Sequence, residues 1–263
     1  MELNLKDKVI MIAAASQGIG YGIAEAVARE GARLSLCSRS RDKIEAAAQS
    51  LHDEFGADAR GYVCDAADAG AIRNWVDVTL QDFGGVDGLV VNAGGPPPGT
   101  FDKFEDADWE AAFNLTLMSA VRMIRGVLPV MRRQKSGAIV TLTSSSIKEP
   151  IENLLLSNVF RSGVVSLIKT LSYDVAGDGI RINNLVPGRI DTARVQSVDK
   201  LNADKKGISV EEQQQQQWDT IPLGRYGSPG DMGNAGAFLL SDAAAYITGA
   251  TLVVDGGKTR AVF

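Results

Sequence analysis

Short, continuously apolar runs alternate along the chain with longer stretches of helical periodicity. VIMIAAA (9–15), RLSLC (33–37), ARGYVC (59–64), GLVVNAG (88–94), GAIVTLTS (137–144), IRINNLVPG (180–188) and GATLVVDGG (249–257) are the apolar runs. Apolar character without polar alternation marks strands covered on both faces. Amphipathic stretches at 18–30, 41–55, 68–83, 107–133, 152–177 and 229–241 predict helices between them. Strand–helix alternation of this kind predicts a parallel sheet with right-handed crossovers. The expected architecture is α/β, a doubly wound seven-stranded parallel sheet with helices on both faces in three layers. No repeat or linker divides the chain, so residues 1–263 are read as one domain.

One segment breaks the rhythm. Residues 193–220, ARVQSVDKLNADKKGISVEEQQQQQWDT, are polar and include a run of glutamines at 213–217. They fit either an exposed helix or loop, or a mobile lid, because ligands in such sheets bind beyond the carboxyl ends of the strands. Trp218, Ile221 and Leu223 are the candidates for a lid's apolar underside.

Composition narrows the function. The chain has 263 residues, 45% of them hydrophobic, and a net charge of −5. Acidity on this scale argues against a broad surface for nucleic acid or anionic membrane. No apolar run approaches the about 20 residues that span a bilayer, and the polar start MELNLKDK is not a secretory signal. Two cysteines, Cys37 and Cys64, and one histidine, His52, are too few for a zinc site or a disulfide scaffold. A reducing cytoplasm is the expected setting.

The candidate nucleotide end is AAASQGIGYG (13–22), directly after the first strand. Gly18 and Gly20 open a helix whose N-terminus can face a pyrophosphate, with Ser16, Gln17 and Ile19 in the same turn. A glycine pair between an apolar strand and a helix, with a second strand following, is a far stronger signal than the pair alone.

With these motifs the chain resembles the classical short-chain dehydrogenase/reductase family over residues 5–257, and within it a divergent group similar to β-ketoacyl reductases. The resemblance implies a Rossmann fold. The family's glycine motif falls on Ala13, Ala14, Gly18, Ile19 and Gly20, with Ala14 in place of a glycine and Ala13 in place of a threonine. NAG (Asn92, Ala93, Gly94) matches the turn after the fourth strand. CDAAD places Asp65 and Ala66 beside the adenine. VPGRIDT places Pro187, Gly188, Ile190 and Thr192 against the nicotinamide. YITGATLVVDGG matches the C-terminal strand. Tight approach at Ala14 requires a negative φ if its methyl is not to crowd the phosphate turn. At the end of the second strand, an acid would select NAD(H) by accepting from the ribose 2′-hydroxyl. Ser38 stands there instead, followed by Arg39 and with Arg41 nearby, which favours NADP(H).

The resemblance implies four catalytic positions, an asparagine, serine, tyrosine and lysine. They fall on Thr116, Ser144, Ser157 and Arg161, so only the serine is retained. A serine hydroxyl is a far weaker acid than a phenol, and arginine stays protonated. The remaining tyrosines are poor substitutes: Tyr62 reads as buried, Tyr173 lies far down a helix, Tyr226 and Tyr246 match structural positions, and Tyr21 sits nearer the phosphates. Lys148, in the loop after Ser144, is a candidate cation for a developing alkoxide. Arg161 is a candidate for the nicotinamide ribose.

Three functions compete at this level. One is an NADP(H)-dependent oxidoreductase acting on a small carbonyl or alcohol with a non-standard proton donor. A second is a catalytically inactive nucleotide-binding sensor or partner. The third is a lyase or isomerase reusing the pocket. The resemblance also implies a homotetramer, through helices 107–133 and 152–177 and the last strand.

Overall fold

A computed structural model describes residues 2–262. Seven strands form one parallel sheet in the order β3-β2-β1-β4-β5-β6-β7. They are β1 (Val9–Ala13), β2 (Arg33–Ser38), β3 (Ala59–Val63), β4 (Gly88–Val91), β5 (Gly137–Leu142), β6 (Ile180–Pro187) and β7 (Thr251–Val254). The helices are α1 (Gly18–Arg29), α2 (Arg41–Phe55), α3 (Ala69–Phe83), α4 (Asp106–Ala112), α5 (Ser119–Gln134), α6 (Leu155–Ala176), α7 (Ala193–Lys206), α8 (Val210–Trp218) and α9 (Pro229–Leu240). Chain order reverses between β1 and β4, and the crevice that opens there faces the carboxyl ends of the strands.

Two apolar cores lie on the two faces of the sheet. Ile23 and Val27 of α1, Ile44 and Leu51 of α2, and Met232 and Leu239 of α9 build one. Trp75 of α3, Met123 and Val127 of α5, and Val164 and Ile168 of α6 build the other. The inner strands β1, β4 and β5 are buried at every position, as their unbroken apolar runs predict. The edge strands β3 and β7 depart from that expectation. Both are half-exposed, because an edge strand is covered less completely.

The helix predicted at 107–133 is interrupted. One π-helical stretch, Phe113–Met118, joins α4 to α5. Together Asp106–Gln134 is long and apolar enough by composition to cross a membrane, contrary to the sequence expectation. In the fold it is a core helix, with Met123, Ile124, Val127 and Met131 buried against the sheet.

Residues 193–220 form two packed helices rather than a loose loop. Thr192 caps α7 by accepting from Val195 N, and Ser209 caps α8 by accepting from Glu212 N. Asp199 of α7 is fully buried. Arg189 Nη2 donates to its Oδ1, and Tyr226 Oη donates to its Oδ2 at 2.9 Å. Gln213 is buried, and Lys206 Nζ reaches its Oε1 at 2.8 Å. Ile221 is buried as expected, but Leu223 is 68% exposed and is no part of an apolar underside.

Candidate active site

Two clefts meet at the carboxyl ends of the strands. The first, about 710 Å³, runs from the β1–α1 turn to the end of β2. Ala14, Ser16, Gln17, Gly18, Ile19, Ser38, Arg39, Asp65, Ala66, Asn92, Ala93, Gly94 and Thr192 all line it, so the predicted nucleotide residues converge. The N-terminal turn of α1 receives no hydrogen bond from a capping side chain, and its amide groups are free for an anion. Gly20 does not line the cleft. A Cβ there would fall 2.5 Å from Ala14 O and 3.1 Å from Asn92 Nδ2, so its role is to let these groups close beneath the turn.

Ala14 does not take the negative φ that would keep its methyl clear of the turn. Its φ is +50°, in the left-handed region where the family's glycine would sit without cost. The turn keeps its shape and the alanine bears the strain. At the far end, Arg41 turns away and pairs with Glu45 at 3.0 Å on the outer face of α2. Lys43 takes its place, lining the cleft with Ser38, Arg39 and Ser40. Cys37 and Cys64 also line this end. Burial pushes the Cys37 thiol well up, while its hydrogen bond to Cys64 lowers the latter.

The second cleft, about 600 Å³, holds Ser144, Ser157, Arg161, Pro187, Gly188, Ile190 and Thr192 in its walls. It joins the first at Ile19, Asn92, Ala93, Gly95, Thr192 and Arg194. Ser144 stands at the end of β5. That end is held by Thr141 and Thr143, whose hydroxyls donate to buried Asn184 Oδ1 at 3.0 and 2.9 Å. Ser144 Oγ accepts from Ser146 N at 3.2 Å, which leaves its own proton free.

Arg161 is not directed outward as the ribose role requires. Its Nη1 donates to Leu142 O at 3.1 Å and Thr143 O at 3.0 Å, and its Nε donates to Ser157 Oγ at 3.1 Å. The guanidinium clamps α6 to the end of β5, with Nη2 left for a ligand. Burial, and then the neighbouring charge of Arg194, lowers its pKa to about 10, so it is still a cation at neutral pH. Ser157 accepts from this cation, and its hydroxyl proton is available to the cleft.

Thr116 lies behind this group, in the π-helical stretch. It is buried, and its Oγ1 has no hydrogen-bond partner among the described residues. It shares a small void with Thr143 and Arg161. Asn114 accepts from Arg122 Nη2 at 2.9 Å and lines neither cleft. Lys148 is not brought into the cleft, although its neighbours Glu149 and Pro150 line it.

Among the described residues no tyrosine lines either cleft. Tyr62 is half-buried rather than buried, and donates to Asp82 at 2.6 Å. Tyr21 is turned toward Ser50 and Glu54 of α2, away from the phosphate turn. Tyr173 and Tyr246 are on the surface. Lys258, Arg189 and Arg194 also line the second cleft and were missed in the sequence. The only signal for Lys258 is its place directly after the DGG that ends the sheet.

Known proteins agree with this geometry. A family model described as enoyl-(acyl carrier protein) reductase matches residues 13–259. The 3-oxoacyl-[acyl-carrier-protein] reductase of Escherichia coli K12 is 32% identical over 258 residues, covering 97% of this chain and 98% of that protein. D-threitol dehydrogenase of Mycolicibacterium smegmatis is 31% identical, covering 98% and 95%. The crystal structure of L-sorbose reductase from Gluconobacter frateurii, complexed with NADPH and L-sorbose, is 33% identical over all of both chains, with a TM-score of 0.96. The chain belongs to the classical short-chain dehydrogenase/reductase family of oxidoreductases, within which it is similar to the ketoacyl reductases.

Proposed function

We propose that the protein is an NADP(H)-dependent oxidoreductase that interconverts a small carbonyl compound and its alcohol without a tyrosine acid. The observation that carries this reading is the junction of the two clefts, which brings the Ser144, Ser157 and Arg161 group to the side of a complete dinucleotide groove. The donor set fits the cofactor. Free amides of α1 suit the pyrophosphate, and Arg39 with Lys43 suits a 2′-phosphate, since no acid stands at the end of β2. L-sorbose reductase, with NADPH in its structure, supports the same choice. When bound, the cofactor supplies or accepts hydride. The chain's own groups hold the substrate oxygen, through the free hydroxyl protons of Ser144 and Ser157. The Arg161 cation polarises Ser157 and stabilises negative charge developing on that oxygen, and the proton that completes the alcohol comes from solvent water through the Ser144 and Ser157 hydroxyls, leaving by the same route in oxidation. Such positioning and electrostatics account for much of a rate on their own.

Nicotinamide fluorescence titration tests the reading. Tight, NADPH-selective binding is expected, with selectivity falling at least about tenfold when Arg39 and Lys43 are both changed to alanine. Binding of neither nucleotide would overturn it.

Exposed aromatic surface supports assembly into a homotetramer. Phe101, Trp109, Phe160 and Phe113 form a chain of aromatic contacts at 6.5, 5.8 and 5.9 Å, two edge-on and the last tilted. Phe101 is 71% exposed, and Tyr173 of the outer α6 surface is 77% exposed. Light scattering at micromolar concentration is expected to give four copies, and a monomer would refute this. Two free, buried cysteines suit a reducing cytoplasm.

A further inference from the structure

The substrate cleft is cationic in an acidic protein. Arg161, Arg189, Arg194 and Lys258 line it, against Glu149 and Asp255, while the whole chain carries −5. The acids at hand are already engaged. Asp255 turns its carboxylate back on its own loop, accepting from Gly257 N at 2.8 Å and Thr259 N at 2.7 Å. Glu149 Oε1 accepts from Arg260 N at 2.8 Å, which fastens the C-terminal segment to the loop after β5. Asp199 is taken by Arg189 and Tyr226.

Lys258 is therefore held in the cleft wall beside Arg189 with no ion-pair partner among the described residues. Burial and the charge of Arg189 together push its pKa below the usual lysine range, against the pull of Asp255. Arg189 is itself paired with Asp199, whereas a half-buried ammonium with no ion-pair partner is unfavourable by itself. It becomes favourable when an anion enters. Lys258 and Arg189 lie outside the lining of the nucleotide groove, so the cofactor's phosphates do not account for them. Arg194, which borders both clefts, lies over Gly95 at their junction.

We infer that the substrate carries an anionic group, a carboxylate or a phosphate ester, which Lys258 holds at the end of the cleft away from the nucleotide groove while the carbonyl or hydroxyl lies between Ser144 and Ser157. This rests on the reading of the cleft as a substrate site and deepens it. Positive lining inside an acidic surface also concentrates anions from solution at this one opening.

Calorimetry on the protein, with and without NADP⁺, separates the inference from the redox reading. Benzoylformate, its neutral methyl ester and inorganic phosphate serve as probes. The expected result is binding of benzoylformate or phosphate but not the ester, weakening with added salt. Lys258→Gln should reduce that affinity at least tenfold, and Lys258→Arg should restore it. Which anion binds distinguishes the carboxylate from the phosphate source. The wild-type thermal midpoint should rise with the anion, and Lys258→Gln alone should melt no lower than wild type because it removes an unpaired charge. If neither anion binds, or if an anion that binds wild type binds Lys258→Gln equally well, the inference is wrong. Failure of NADP⁺ or NADPH to bind in the same samples would overturn the cofactor assignment and leave the anion result standing.

Discussion

Removing the Arg161 side chain should loosen the fold before it touches any chemistry. Arg161 makes three hydrogen bonds within the protein, to Leu142 O, Thr143 O and Ser157 Oγ. Bonds to a charged donor contribute about 1.5–3 kcal/mol each, so the gross loss in Arg161→Ala is about 5–9 kcal/mol. Part of this is offset. A guanidinium held at about 10, below the usual arginine value, is desolvated at a cost of about 3 kcal/mol, which the variant no longer bears. The expected net destabilisation is about 2–6 kcal/mol. Arg161→Lys keeps the charge but not the planar fork and should fall between. The pH dependence has a defined sign. The folded state binds this proton less tightly than the unfolded state, so the cost is fully present below about pH 10 and is relieved only above it. The difference between wild type and Arg161→Ala should thus be flat from about pH 6 to 9. Urea unfolding at fixed protein concentration reads it. A change under about 0.5 kcal/mol, or a lysine variant equal to wild type, would show that Arg161 is a free ligand-binding group and no clamp.

Three further changes probe the same framework. Ala14→Gly relieves a left-handed alanine that costs about 1–2 kcal/mol, against about 0.4–1 kcal/mol of added chain entropy, and should raise stability by about 0.5–1 kcal/mol in thermal or urea unfolding. Thr116→Val replaces a buried, unpaired hydroxyl with a methyl of similar shape and should be neutral or stabilising by about 1 kcal/mol; a clear loss would mean the hydroxyl is bonded. Asp231 sits in the capping box of α9, and Arg225 first, then the Ser228 amide, holds its pKa at about 2. Its contribution is present above about pH 4 and is lost as pH falls through about 2, so the lower thermal midpoint of Asp231→Asn should converge on wild type in that window.

The sheet was legible because its evidence is distributed. Each buried strand is an unbroken apolar run, and the β1–α1 turn is marked by small residues that no other role requires. What stayed hidden depends on where single side chains point. The i,i+4 spacing of Arg41 and Glu45 does signal an ion pair, but nothing in the sequence says that Lys43 will line the cleft instead. Nothing says that the Arg161 fork will turn inward to two strand carbonyls. The φ of Ala14 could not be read from residue preference, which disfavours the left-handed region for alanine, because the β1–α1 turn imposes it. Residues 193–220 read as polar and loose because their anchors are themselves polar: Asp199 and Gln213 are buried through hydrogen bonds, which hydropathy cannot register.

Ser157 and Arg161 are better understood as one replacement than as two losses. A tyrosine would reach into the cleft from the position of Ser157, and a lysine at 161 would have one compact charge to place. With serine at 157 the helix face is shortened. The longer arginine can fold beneath it, and Nε bonds the very oxygen that took the phenol's place. The same fork binds the strand that carries Ser144, so the two hydroxyls are held on one scaffold. The charge that a lysine would present to the ribose is largely spent inside the protein. Uncompensated positive charge is instead found in the cleft wall at Lys258, beside Arg189. A site arranged in this way has less to offer as a proton donor and more as an anion holder. It suits a substrate whose own charge fixes its orientation before hydride moves.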